Sequence, residues 1–173
     1  MMRPVVACVI ATVLLSGCVP RSAPPQPQPT PEPTPPPPEP APPPSPPPVD
    51  WRDAPLSPGD WSYSESGGTS RAVFGNGSAP DFVVRCERDN RVRLVRTGAS
   101  AARAIVVRTS AGDRSLPATE QDGDAVAALA ASDPVLDQIV FSRGRFAVAA
   151  DGAELLIVPA WPEPARAIEN CRT

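Results

Sequence analysis

The sequence predicts an α+β chain, mainly antiparallel β, forming a sandwich or open barrel of about eight strands with short helices, behind a disordered proline-rich linker. Three observations predict it. Of the 173 residues, 27 are proline, and most of these crowd between residues 20 and 48, where no core can form. From residue 50 onward the composition turns ordinary, and short apolar alternations recur between clusters of Gly, Asn and Asp. Later in the chain that rhythm gives way to apolar residues at helical spacing behind Asp133-Pro134 and Trp161-Pro162.

Taken in order, Trp61, Tyr63 and Glu65 share one face of a first strand, which Gly67-Gly68 ends. Residues 71–74 form a second, ended by Gly75-Asn76-Gly77. A hairpin follows. Phe82, Val84 and Cys86 alternate on one face, residues 87–91 turn, and Val92 and Leu94 return, so Cys86 points inward. The β-branched run Ile105-Val106-Val107 marks a strand over 104–109, followed by a turn at Ser110-Ala111-Gly112-Asp113 and a short segment over 115–118. After Gly123 the reading changes to helix: Asp124 caps one through Ala131, and Asp133 caps a second with Pro134 at its first position. Residues 145–150 and 154–158 then pair as a hairpin across Asp151-Gly152, a dipeptide suited to the tight primed turn. A last helix starts at Trp161-Pro162-Glu163-Pro164 and carries Ala165, Ile168 and Cys171 on nearly one face.

The N-terminus carries an address. Arg3 precedes an apolar run over residues 5–15, roughly ten residues long, matching the charged and hydrophobic regions of a secretory signal. A spanning helix needs about 20 apolar residues. The run closes with Leu15-Ser16-Gly17-Cys18, an aliphatic residue, two small residues and a cysteine, and this resembles a bacterial lipobox. The resemblance implies that residues 1–17 are a signal peptide cut off before Cys18. It also implies that the Cys18 thiol takes a diacylglyceryl group and that its new amino group is acylated. Each buried CH₂ adds about 0.8 kcal/mol, and two or more acyl chains anchor stably. Val19 stands where similar proteins kept in the inner membrane often carry Asp, which favours the outer membrane facing the periplasm. The rival reading is ordinary secretion with Cys18 left as a thiol. Residues 18–49 form the linker: its proline runs favour polyproline II, and about 30 residues reach on the order of 90 Å when extended. It is read as a spacer, with a ligand for proline-binding domains as the alternative.

Residues 50–173 are then one domain of roughly 120 residues, able to bury one core. With Cys8 leaving in the signal and Cys18 lipidated, as the lipobox likeness implies, only Cys86 and Cys171 remain. In an oxidising envelope they are expected to form a disulfide, closing a loop of about 85 residues worth roughly 4 to 5 kcal/mol. A redox or zinc pair is the alternative, without a Cys-x-x-Cys spacing or any His to support it.

The chain has no His and no Lys, which excludes Ser-His-Asp, Cys-His and Ser-x-x-Lys nucleophiles. Paired carboxylates remain possible, and Glu120, Asp122 and Asp124 cluster in one stretch. They equally suit a helix start, and a calcium loop lacks its later ligands. No catalytic residue, metal or cofactor is assigned. A net charge of −3 gives no support for nucleic-acid binding. The candidate binding residues are arginines: Arg85, Arg91 and Arg93, with Arg88 and Arg96 close by, fall in the hairpin. Their forks suit lipid phosphate, acidic glycolipid, cell-wall polysaccharide or an acidic envelope protein. The alternative is a solvated sheet face with Glu87 and Asp89 as partners. Trp51, Trp61 and Trp161 read as core residues or as a sugar-binding groove. Phe141 and Phe146 read as anchors of a tip carrying Arg143 and Arg145.

The Trp61 start, inward Cys86, Phe141-Ser142-Arg143-Gly144-Arg145-Phe146 and the helix ending in Cys171 resemble a group of lipoproteins of alphaproteobacteria. In cysteine placement and final strand-helix order the domain is loosely similar to periplasmic domains of the invasion-associated locus B type. Neither resemblance brings a catalytic residue. The expectation is a lipid-anchored, non-enzymatic envelope protein that serves as a binding or structural accessory factor. A protein inhibitor guarding the envelope, lysozyme-inhibitor-like, is the alternative, and a carboxylate-dependent enzyme the third reading.

Overall fold

In the computed structural model, residues 50–77 and 79–173 are described. The expected signal peptide, Cys18 and the linker lie outside the described residues. Along the chain run β1 (Asp60–Ser66), β2 (Thr69–Gly75), β3 (Pro80–Cys86), β4 (Arg91–Arg96), β5 (Ala104–Thr109), β6 (Gly112–Pro117), β7 (Thr119–Gln121) and β8 (Asp124–Ala130). Then come α1 (Pro134–Val140), β9 (Arg145–Ala150), β10 (Leu156–Pro159) and α2 (Pro162–Glu169).

The strands form two sheets, one of six in the order β1-β2-β3-β4-β8-β7 and one of four in the order β10-β9-β5-β6, with every pairing antiparallel. This is the mainly antiparallel α+β class that the alternation predicts. Alternate residues from both sheets meet in one core: Phe74, Phe82, Val84, Val92 and Leu94 from the larger, Ile105, Val107, Phe146, Val148 and Val158 from the smaller. Phe82 bridges them, its ring edge-on to Trp61 at 6.3 Å and to Phe146 at 6.1 Å. Trp61 donates its indole N–H to the Pro159 carbonyl at 2.9 Å, so its one polar atom is satisfied inside the core.

Helix α2 lies on β1, β2 and β3. Ser70 Oγ donates to the Ala167 carbonyl at 3.1 Å, and the Arg166 guanidinium stands 4.2 Å over the Tyr63 ring. Pro164, Ala167 and Ile168 are its buried residues, with Cys171 buried just beyond its end, whereas Ala165, expected on that face, is only half-buried. Helix α1 starts as the sequence predicts, with the Asp133 carboxylate accepting from the Val135 N–H at 3.0 Å and Pro134 in the first turn.

Two expectations need correction. The stretch read as a helix from Asp124 to Ala131 is strand β8, held between β4 and β7. The described residues form ten strands, in keeping with the expectation of about eight, with β7 and β8 adding a hairpin. Asp151-Gly152 does not make a tight primed turn: five residues, 151–155, separate β9 from β10, and Gly152 has φ 80° while Asp151 keeps a negative φ. The primed pair is Asp122 (φ 54°) with Gly123 (φ 90°), joining Gln121 to its partner Asp124.

Apart from Trp51, no residue of 50–58 had an expected role, yet the segment straps the outer face of the four-stranded sheet. Trp51 is buried against Ala147 and Ile157, and Ser57 exchanges bonds with Ile157, its N–H donating at 2.9 Å and its Oγ accepting at 3.0 Å. The strap occupies polar groups of β10 that an edge strand otherwise leaves unpaired.

Candidate functional site

The hairpin of β3 and β4 gathers the arginines because strand alternation sends every second side chain to one face. Arg85 stands opposite Arg93 in the register and opposite Arg71 on the other side, so three arginines form a row across β2, β3 and β4. Like charges directly opposite are destabilising. The hairpin loop supplies the relief. Glu87 forms ion pairs with Arg85 Nε at 2.8 Å and Arg93 Nη1 at 3.1 Å, and Asp89 accepts from Arg93 Nη2 at 3.0 Å. Asn90 at φ 56° turns the loop so that both carboxylates come back over the strands, with Glu87 N–H donating to the Arg91 carbonyl at 3.1 Å. The Arg93 side-chain bond holds the Asp89 carboxyl below its ordinary value, and the same bond raises Arg93. Arg91 Nη2 donates to the Ala128 carbonyl at 3.2 Å, and Arg88 Nε donates to Gly67 at 3.3 Å.

Arg85, Arg91 and Arg93 therefore share one outer sheet face, and two of the three are already paired with carboxylates. Arg96, their neighbour in sequence, is on the other face and buried. Beside the row a cavity of about 450 Å³ opens between the ends of β2 and β3, lined by Ser70, Arg71, Arg85 and Arg88 among others.

Cys86 and Cys171 are joined, their Cα atoms 5.3 Å apart, as the sequence predicts. Both are buried. Glu120, Asp122 and Asp124 do not converge on a common point for chemistry. Glu120 Oε1 accepts from Gly123 N–H at 2.7 Å, Asp122 sits in the turn, and Asp124 Oδ1 accepts from Gly98 N–H at 2.9 Å. Each stabilises a turn. Trp51 and Trp61 are core residues, and Trp161 is 45% exposed at the start of α2.

The segment over 141–146 departs from expectation at one end. Phe146 is fully buried, but Phe141 is 78% exposed and anchors nothing. Ser142 does that work instead: its Oγ accepts from Ser110 N–H at 3.1 Å and donates to the Arg145 carbonyl. Ser110 Oγ in turn accepts from Arg143 N–H at 3.1 Å, which laces the tip to the turn between β5 and β6. Serine gives no periodic signal, so this anchor was not legible in the sequence.

No family model, curated protein or solved structure matches this chain.

Proposed function

We propose that this chain is a lipid-anchored protein of the cell envelope, a non-enzymatic binding or structural accessory factor that a proline-rich spacer holds away from the outer membrane. The observation that carries the reading is Leu15-Ser16-Gly17-Cys18 at the end of a short apolar run. The Cys86–Cys171 bridge supports it, because an envelope compartment favours disulfides whereas a reducing cytosol does not. The likeness to lipoproteins of alphaproteobacteria agrees with both. Arginine side chains in two separate places, on β3 and β4 and at the 143–145 tip, suit a binding role toward acidic envelope components.

The test is the chemistry of the mature N-terminus. Expressed in a Gram-negative host with labelled palmitate, the chain is expected to incorporate label and to yield an N-terminal peptide beginning at a diacylglyceryl-modified Cys18. The Cys18→Ser variant is expected to carry no label and to leave the membrane fraction. An unmodified Cys18 in the mature wild-type protein overturns the reading.

A further inference from the structure

We propose that the cavity between the N-terminal strap and the Arg143-Gly144-Arg145 tip binds a phosphate group, with Arg52, Arg143, Arg145 and Ser110 as its ligands. This goes beyond the anchored-accessory reading and does not require Cys18 to carry lipid. It lies beside the four-stranded sheet, whereas the arginine row of β2, β3 and β4 belongs to the other.

The cavity measures about 220 Å³ and is lined by Trp51, Arg52, Ser110, Arg143 and Arg145. Three arginines thus line one small space, and none of the lining residues carries a carboxylate. Contacts outside the cavity hold two of them. Arg52 lies over the Trp51 ring at 4.7 Å and pairs with Asp50 at 3.3 Å, both side chains more than half exposed. Arg145 Nη1 donates to the Ala54 carbonyl at 2.6 Å. Arg143 is placed through its backbone, by the N–H bond to Ser110 Oγ and by Gly144 at φ 73°, which turns the chain back into β9. Its guanidinium has no hydrogen-bond or ion-pair partner among the described residues.

The contrast with β3 and β4 decides the point. There Glu87 and Asp89 neutralise the closely set arginines; here Asp50 reaches only Arg52. Packing like charges together without an internal counter-ion raises the potential in the cavity, and a cleft with an apolar wall focuses that potential. Trp51 is that wall. The geometry also favours phosphate over carboxylate. A phosphate offers two unsubstituted acceptor oxygens in a diester and three in a monoester, set tetrahedrally, so that planar forks can meet it from several directions, which a flat carboxylate does not allow. Ser110 Oγ accepts from Arg143, and its own hydroxyl proton has no acceptor among the described residues, so it adds a fourth donor.

The same chemistry serves a free phosphate or phosphomonoester and the diester headgroup of an anionic lipid, and the test separates them. The full chain, purified in non-ionic detergent, is titrated with inorganic phosphate and, in parallel, with the water-soluble headgroup glycerophosphoglycerol. The Trp51 indole and Gly144 amide signals are followed by NMR. Saturable shifts at both are expected, with affinity falling about tenfold or more in Arg143→Gln. Arg143→Lys, which keeps the charge but not the fork, should fall between, and Arg103→Gln, a change at an exposed residue outside the cavity, should titrate like wild type. Comparable binding of the diester assigns the site to a lipid headgroup; binding of phosphate alone assigns it to a phosphomonoester or free phosphate. No saturable shift with either probe overturns the proposal. So does an Arg143→Gln chain that binds like wild type while keeping its remaining amide spectrum.

Discussion

Arg96 shows what one residue on the wrong side of an alternation does. Its neighbours Arg91 and Arg93 face outward, but the period of two places Arg96 with Val92 and Leu94 on the core side, 5% exposed. A cation there has lost its water, and burial pulls its pKa below the ordinary arginine value, with Asp81 and Glu154 opposing that shift by their charge. Backbone carbonyls replace the water. Nη1 donates to Asp81 at 2.9 Å and Thr97 at 3.0 Å, and Nη2 donates to Glu154 at 3.0 Å, so one guanidinium ties the start of β3, the end of β4 and the loop before β10. Arg96→Met removes the charge and leaves the Thr97 and Glu154 carbonyls without this donor, whereas the Asp81 carbonyl keeps the Thr97 N–H at 3.2 Å. The expected loss is about 2 to 4 kcal/mol in urea denaturation, since each buried group left unpaired costs about 1 to 3 kcal/mol and partial rehydration recovers some of it. Arg96→Lys should lose less, because an ammonium keeps the charge but not the planar reach. A wild-type midpoint for Arg96→Met is the contrary result. By comparison the exposed pairs on Asp89 and Glu87 contribute little to stability.

At the scale of elements, most strands were legible because they alternate: Phe82, Val84 and Cys86 announce β3, and Val92 and Leu94 announce β4. β8 was not. Its Ala125, Val126, Ala127, Ala128 and Leu129 combine good helix formers with an acidic residue at the front, so propensity and capping both pointed to a helix. Tertiary pairing overrides that preference. Ala125, Ala127 and Leu129 join the main core, and Val126 packs with Val83 and Val95 on the opposite face, where Ala128 and Ala130 are exposed. With apolar Val126, Ala128 and Ala130 on the outer side as well, the segment shows no apolar/polar alternation. The signal that was present lay in the turn: Asp122 and Gly123 both adopt positive φ, the requirement of a primed two-residue hairpin. Gly123→Ala tests how much that turn contributes. A Cβ at position 123 meets nothing within 4 Å, so the cost is conformational alone, about 1 to 2 kcal/mol for an L-residue in the left-handed region. It should appear as a lower urea midpoint with an unchanged far-UV spectrum. A gain of helical signal would mean that the alanine-rich segment has reverted to its local preference.

Across the whole molecule, the bridge joins the end of β3 to a residue two places beyond α2, 85 positions later. Everything from β4 to α2 lies inside that loop, including the entire four-stranded sheet. The sequence could suggest this pairing because the expected lipobox set the other two cysteines aside, whereas the laced serines behind the arginine tip left no trace a pattern could reveal. Few side chains hold the C-terminus besides the bridge. Arg172 donates to the Ala131 carbonyl at 2.9 Å and pairs with Asp137 at 2.8 Å and Glu169 at 3.0 Å, all partly in water, where such pairs contribute little. Releasing the bridge therefore removes both the constraint on the unfolded chain and the firmest tie of α2 to the larger sheet. For a closed loop of this length the chain-entropy relation gives about 4 to 5 kcal/mol. The Cys86→Ser, Cys171→Ser double variant should fold to the same far-UV spectrum and lose that amount in urea denaturation, because Ile168 and Ala167 still bury their side chains against the sheet. Hydrogen exchange should report the loss unevenly. Amides of α2, whose docking then rests on a short buried face, should open first, while those of β3, β4 and β8 in the middle of the larger sheet keep the protection set by global unfolding. Equal midpoints for the variant and the wild type would show that the two sheets and their shared core, not the crosslink, set the stability.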